Sequence, residues 1–222
     1  MIRKVIKEFV SVNILKTLRM NFHYFPLRTA CRLPIMVYKN VNISKLGGVI
    51  IINSTIHRGL LTIGRKNIGT LDHEYVRSIW EVSGEIVVDG KVSFGSGSRI
   101  SVAYGAKLRI GNNFLLTGNS SIVCQKEITF GRDCLLSWEI LIMDTDFHRI
   151  VNMQGEVINK PSSIHVGNHV WIGCRTTLLK GTVVPDNTVI AAGALITKPL
   201  TDSQHIYGGN NKKLKGNVNW KM

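Results

Sequence analysis

The sequence has few prolines (5 in 222 residues), no CxxC pair, and half as many acids (14) as bases (28). No stretch approaches the ~20 consecutive apolar residues that a spanning helix needs. At the N-terminus, MIRKVIKEFVSV is interrupted by Arg3, Lys4, Lys7 and Glu8 before a signal-peptide core of adequate length can form, so a cytoplasmic protein is expected. Cys31, Cys124, Cys134 and Cys174 show no zinc-site spacing and stand beside apolar or small residues, which predicts buried free thiols and no metal site. The scarcity of acids leaves a formal charge of +14 that is heaviest at the two ends. Residues 1–40 hold Arg3, Lys4, Lys7, Lys16, Arg19, Arg28, Arg32 and Lys39 against Glu8 alone, and the last 62 residues carry seven Lys or Arg against Asp186 and Asp202. So basic a surface attracts polyanions, phosphorylated ligands or an anionic membrane. With 44% hydrophobic residues and 21 glycines, the chain reads as one folded, turn-rich domain and not as a disordered one.

A repeat is what the sequence does have. Every sixth residue from Val166 is a branched aliphatic: Val166, Ile172, Leu178, Val184, Ile190 and Ile196. Four residues after each of the first five comes Val170, Thr176, Thr182, Thr188 or Ala194, all small or β-branched. Turn formers such as Gly167-Asn168, Gly173, Gly181 and Asp186-Asn187 lie between. Ile110, Leu116, Ile122 and Ile128 repeat in the same way, as do Phe130, Leu136 and Ile142, with a slip of two residues between the runs. A period of six fits neither an amphipathic helix nor alternating hairpin strands. It fits a parallel β-helix, in which three hexapeptides make one triangular coil and coils stack about 4.8 Å apart. The first aliphatic of each hexad points inward, where burial contributes roughly 1.5–3 kcal/mol, and Gly, Asn and Asp suit the corners.

The predicted solenoid runs over 41–205, with looser strands at Ile50–Ile56, Leu61–Gly64, Glu85–Val88 and Val92–Ser96, and with Phe94 and Ile100 in frame. The period lapses between Gly64 and Gly84 and again over 143–163, which predicts projecting loops; the second carries His, Asp and Arg and is the candidate functional element. In residues 1–40, Val5, Phe9, Val12, Leu15 and Leu18 recur at helical spacing, which predicts a helix capping the open end of the solenoid. Residues 206–222 read as a basic tail.

The block VGNHVWIGCRTTLLKGTVVPDNTVIAAGALITK, with DTDFH upstream of it, resembles the hexapeptide-repeat acyltransferases, in particular their polysaccharide and sugar O-acetyltransferase branch. The resemblance covers about residues 85–215. It implies a left-handed solenoid, a hand that the general rule for parallel crossovers does not supply. It also implies a homotrimer with active sites between subunits, acetyl-CoA as donor, a sugar hydroxyl of a capsular or lipopolysaccharide-type glycan as acceptor, and His148 of DTDFH as the base. A histidine suits that task near neutral pH. His165 and His169 fall beside an inward position and on a corner, and His23, His57, His73 and His205 lack a motif. Asp144 and Asp146 precede His148 at i−4 and i−2 and would share its side of an extended segment; either could orient the imidazole. By the same resemblance Trp171, Cys174, Ala192, Thr197 and Lys198 fall where coenzyme contacts are expected. Lys213 matches a basic residue that approaches the nucleotide phosphates, although the Pro-Ala pair expected before it reads Asn211-Lys212.

Other readings stay open at this stage. An amino sugar nucleotide or an antibiotic is the alternative acceptor, and a basic scaffold or nucleic-acid-binding protein is the non-enzyme alternative. The latter lacks basic runs interleaved with stacking aromatics. A γ-class carbonic anhydrase would need three converging histidines, and the HxxxxH step is missing. The basic, amphipathic N-terminus suggests peripheral contact with an anionic membrane.

Overall fold

The computed structural model describes residues 11–221. They wind into a left-handed, three-sided parallel β-helix. The first sheet runs from Ile35–Val37 through Leu61–Arg65, Val92–Gly95, Phe114–Gly118, Leu135–Trp138, Trp171–Ile172 and Val189–Ile190 to Ile206–Gly208 and Lys212–Lys215. The second runs from Val41–Leu46 to Leu195–Ile196 and the third from Val49–Ile52 to Val183–Val184. Every pairing between coils is parallel, and Lys212–Lys215 then folds back antiparallel on Ile206–Gly208.

The hexad frame becomes a set of inward columns. On the first sheet Phe94, Leu116, Leu136, Ile172 and Ile190 stack in register; on the second Trp80, Ile100, Ile122, Ile142, Leu178 and Ile196 do the same. All are buried, and so are Val170, Thr176, Thr182, Thr188 and Ala194 at the second inward position. The threonine hydroxyls inside the prism donate to nearby backbone carbonyls, Thr182 to those of Leu179 (2.6 Å) and Ile196 (3.1 Å), so no unsatisfied polar cost attaches to them. Coil length varies. Ile172 pairs with Ile190, eighteen residues on, whereas Ile110 pairs with Phe130, twenty on, which is the two-residue slip in the repeat. The wider coils are filled by aromatics, with Trp80, Phe94, Phe114 and Phe130 packed ring to ring at 4.9–6.4 Å. At successive corners around the coils His169, Arg175, Gly181, Asn187 and Gly193 all take positive φ, so five left-handed corners fall at six-residue spacing.

Three expectations change. The solenoid begins before residue 41, since Ile35–Val37 already pairs with Leu61–Ile63, and residues 206–215 extend its first sheet instead of leaving as a tail. Cys31 is exposed; only Cys124 and Cys134 are buried, and burial pushes their thiols up to about 12 and about 11. The third change concerns helix α1, Ile14–Tyr24, which lies over the start of the solenoid. Val5 and Phe9 of the expected apolar row lie outside the described residues. Leu15 is 79% exposed, and Ile14, Leu18 and Phe22 are exposed as well. The packed face is instead Thr17, Met20 and Asn21. The Asn21 side chain accepts from Ile35 N (3.0 Å) and donates to Ile35 O (2.7 Å), and the Thr17 hydroxyl accepts from Val37 N (3.0 Å). A first strand with an open edge needs donors and acceptors more than it needs methyl groups, so the polar face of α1 turns inward. Helix α2, Leu27–Ala30, follows. Among the described residues no helix is long and apolar enough to cross a membrane.

Candidate active site

The larger insertion leaves the second sheet after Met143 and rejoins the third at Ile164. Its root is held by Asp144, which is fully buried. One carboxylate oxygen accepts from Gln125 N (2.7 Å), the other from Lys126 N and Glu127 N (both 2.8 Å). Asp144 therefore closes the turn of the coil below, its two oxygens taken up by three backbone N–H groups. Asp146 faces the other way. Its carboxylate accepts from Lys180 Nζ and from Asn159 Nδ2 (2.9 Å), and Lys180 also donates to the Asn159 carbonyl (3.0 Å). Hydrogen bonds from Lys180 and Asn159 hold this carboxyl below the usual carboxylate range.

This cluster fixes the backbone of His148. Its N–H donates to Asp146 O (2.6 Å), and its carbonyl accepts from Asn159 Nδ2 (2.8 Å). Phe147 between them sits at φ 60°, a left-handed conformation uncommon for an aromatic residue, with its N–H on the Thr145 hydroxyl (3.0 Å). The His148 side chain is exposed and has no hydrogen-bond partner among the described residues. It lines a cleft of about 390 Å³ with Gln125, Asp146, Phe147, Arg149 and Lys160. Beyond it the insertion folds into a small hairpin through the Val151–Val157 bridge, with Met153 at its tip 98% exposed. Sequence reasoning missed Lys180 and Asn159. Lys180 carried one faint signal, since it directly follows the repeat pair Leu178-Leu179 at the corner where the insertion begins.

The six coenzyme candidates do not converge within one subunit. Trp171 lies on the outer face of the first sheet, donates to the Ser137 hydroxyl (3.3 Å), and has Trp220 beside it at 6.2 Å. Trp220 in turn stacks on His169 at 4.3 Å, which ties the chain end down and settles its path. Cys174 and Ala192 stack at the corner between the first and second sheets, where Gly193 N donates to Cys174 O (2.8 Å). A Cβ on Gly173 would meet the Ala192 backbone at 2.6 Å, so that corner presents backbone and not bulk. Thr197 is clasped by Asn211, N–H to Oδ1 at 2.9 Å and Nδ2 to Oγ1 at 3.0 Å. Lys198 is exposed at the corner between the second and third sheets, one coil beyond Lys180. Lys213 pairs with Asp202 at 3.1 Å, and hydrogen bonds from Thr201 and Lys213 hold that carboxyl down to about 2. Lys212 and Lys215, which flank Lys213, are exposed. Among the described residues no group of three or more His, Cys, Asp or Glu is placed to hold a metal ion.

Asp146→Ala is expected to lower turnover about tenfold with little change in melting temperature, because the pair with Lys180 is partly exposed and acts on the loop, not on the core. A carboxyl depressed by folding contributes stability above its unfolded value near 3.9 and loses it as pH falls through the folded value. The wild-type loop should thus keep this pair from pH 5 upward. Proton NMR of the Asn159 amide over pH 3–8 checks it, and a change of state near neutral pH would contradict it.

No family model matches the chain. It is 33% identical over 100 residues to the galactoside O-acetyltransferase of Escherichia coli K12, covering 44% of this chain and 48% of that protein. It is 38% identical over 85 residues to the polysialic acid O-acetyltransferase of Neisseria meningitidis, covering 38% of this chain and 37% of that one. The chain thus spans about half or less of the length of these curated relatives. In three dimensions it superposes on the crystal structure of the polySia-specific acetyltransferase NeuO with a TM-score of 0.57 at 21% identity, over 85% of this chain and 89% of that one. The repeat and the fold agree with these relatives: the chain is similar in sequence to galactoside and polysialic acid O-acetyltransferases and shares the fold of NeuO.

Proposed function

We propose that this protein is an O-acetyltransferase that moves an acetyl group from acetyl-CoA to a hydroxyl of a sugar in a capsular or lipopolysaccharide-type glycan, with His148 as general base. The observation that carries the reading is an imidazole with no hydrogen-bond partner among the described residues, presented to a cleft by a backbone pinned at Asp146, Asn159 and Lys180. A base must be open to substrate and attached to a positioned backbone, and both features support this reading. Sugar O-acetyltransferase relatives support the reaction class.

Acetyl-CoA would supply the thioester. His148 takes the proton of the acceptor hydroxyl as its oxygen attacks the carbonyl carbon; the C–O bond forms, the C–S bond breaks, and the proton passes from the imidazole to the departing thiolate. Asp146 serves as a positioning residue through the backbone, since its carboxylate faces Lys180. The bare corner at Gly173, Cys174 and Ala192 suits an extended pantetheine arm, and Lys198, Lys212 and Lys213 suit the phosphates. That these candidates lie on different faces of one solenoid goes with a homotrimer whose cleft is completed by a neighbour. The hairpin supports that assembly, since Ile150, Val151, Met153 and Ile158 are all exposed in the single subunit.

Release of free CoA from acetyl-CoA in the presence of the native glycan tests the proposal, with mass spectrometry of the product. A gain of one acetyl ester per modified sugar is expected. An amide product would move the protein to the N-acetyltransferase reading, and absence of turnover with hydroxyl and amine acceptors alike would end both.

A further inference from the structure

The smaller insertion, residues 66–77, builds a second cleft at the other end of the solenoid, on a different corner from the His148 loop. It encloses about 390 Å³ between Tyr38, Lys39, Asn40, Lys66, His73 and Glu74, with Ser96 in its wall. The walls are fixed by hydrogen bonds. His73 Nε2 lies 2.7 Å from the Ile68 carbonyl, which can only accept, so the proton is on Nε2. Nδ1 and the Ser96 hydroxyl are in hydrogen-bond contact at 2.5 Å, and Ser96 is 3% exposed. The Asn40 amide donates to the carbonyls of His73 (2.6 Å) and Glu74 (3.2 Å), which clamps the returning end of the insertion. Gly64 sits in the floor, where a Cβ would strike Val41 Cγ2 at 2.6 Å.

What the cleft offers a ligand is charge and hydroxyl acceptors. Lys39 and Lys66 are exposed and have no ion-pair partner among the described residues, and the Glu74 carboxylate is likewise unpaired. Besides His73, the lining thus carries two ammonium groups and one carboxylate. We infer that this cleft binds a single carboxylated sugar unit of a glycan, a monoanion rich in hydroxyls, as a holding site separate from the acyl-transfer cleft. The two ammonium groups take the carboxylate; Asn40 Oδ1 and the Glu74 carboxylate accept from ring hydroxyls. A carboxylated sugar brings one anion for the lysines and hydroxyl donors for Glu74 and Asn40 Oδ1, acceptors that a phosphate dianion would leave largely unused, so it is the better match. Fixed walls keep the ordering cost of binding small.

The test uses the full-length protein without acyl donor, so that it reads binding whether or not the chain transfers acetyl groups. Saturation-transfer NMR and calorimetric titration with glucuronic acid, glucose and inorganic phosphate compare wild type with K39A/K66A. Glucuronate is expected to bind the wild type, to lose about tenfold in affinity in K39A/K66A, and to weaken with added salt. Glucose and phosphate are expected to bind at least about tenfold more weakly than glucuronate. Both lysines are exposed, so the variant should keep the wild-type melting curve. Equal glucuronate affinity in the folded variant, or phosphate or glucose binding as tightly as glucuronate, overturns the inference.

Discussion

His148→Ala should lower acetyl transfer by about 10²-fold or more while the melting curve stays where it is. The two halves of that expectation come from the same observation. The imidazole is exposed and has no hydrogen bond among the described residues, so its removal opens no cavity and strands no polar group. Its value lies in the proton it can take, and positioned general bases contribute roughly 10²–10⁴-fold. Release of free CoA at saturating acceptor, measured beside thermal unfolding, separates the halves. Activity within a few-fold of wild type would remove His148 from the chemistry. A loss of activity with an equal loss of stability would make it structural.

Asp144→Ala should do the opposite, lowering stability by roughly 3–5 kcal/mol, since a buried carboxylate that satisfies three backbone N–H groups leaves all three without a partner. For a chain of this size that corresponds to a fall of about 10 °C in melting temperature. Asp144→Asn should recover only part of it, because an amide offers one acceptor oxygen where the carboxylate offers two. Unchanged unfolding together with lost turnover would return Asp144 to the imidazole.

These two residues show where sequence reading stops. Spaced at i−4 and i−2 before His148, Asp144 and Asp146 look equivalent. The structure assigns the first to the coil below and the second to Lys180, thirty-four residues away in sequence. In the same way, Leu15 and Leu18 suggested an inward apolar face for α1, but the open edge of Ile35–Val37 selected Thr17 and Asn21. His73 had no motif; its pairing with Ser96 exists only because the 66–77 insertion folds back over the next coil.

The sequence by itself determined the solenoid and its inward columns, because each hexad decides locally which side chain turns in. The tertiary structure alone decided which carboxylate meets which donor, which face of α1 packs, and where clefts open. Those outcomes depend on coil lengths of eighteen or twenty residues and on the return path of the insertions, and both are set by stacking between coils rather than by any neighbouring residue.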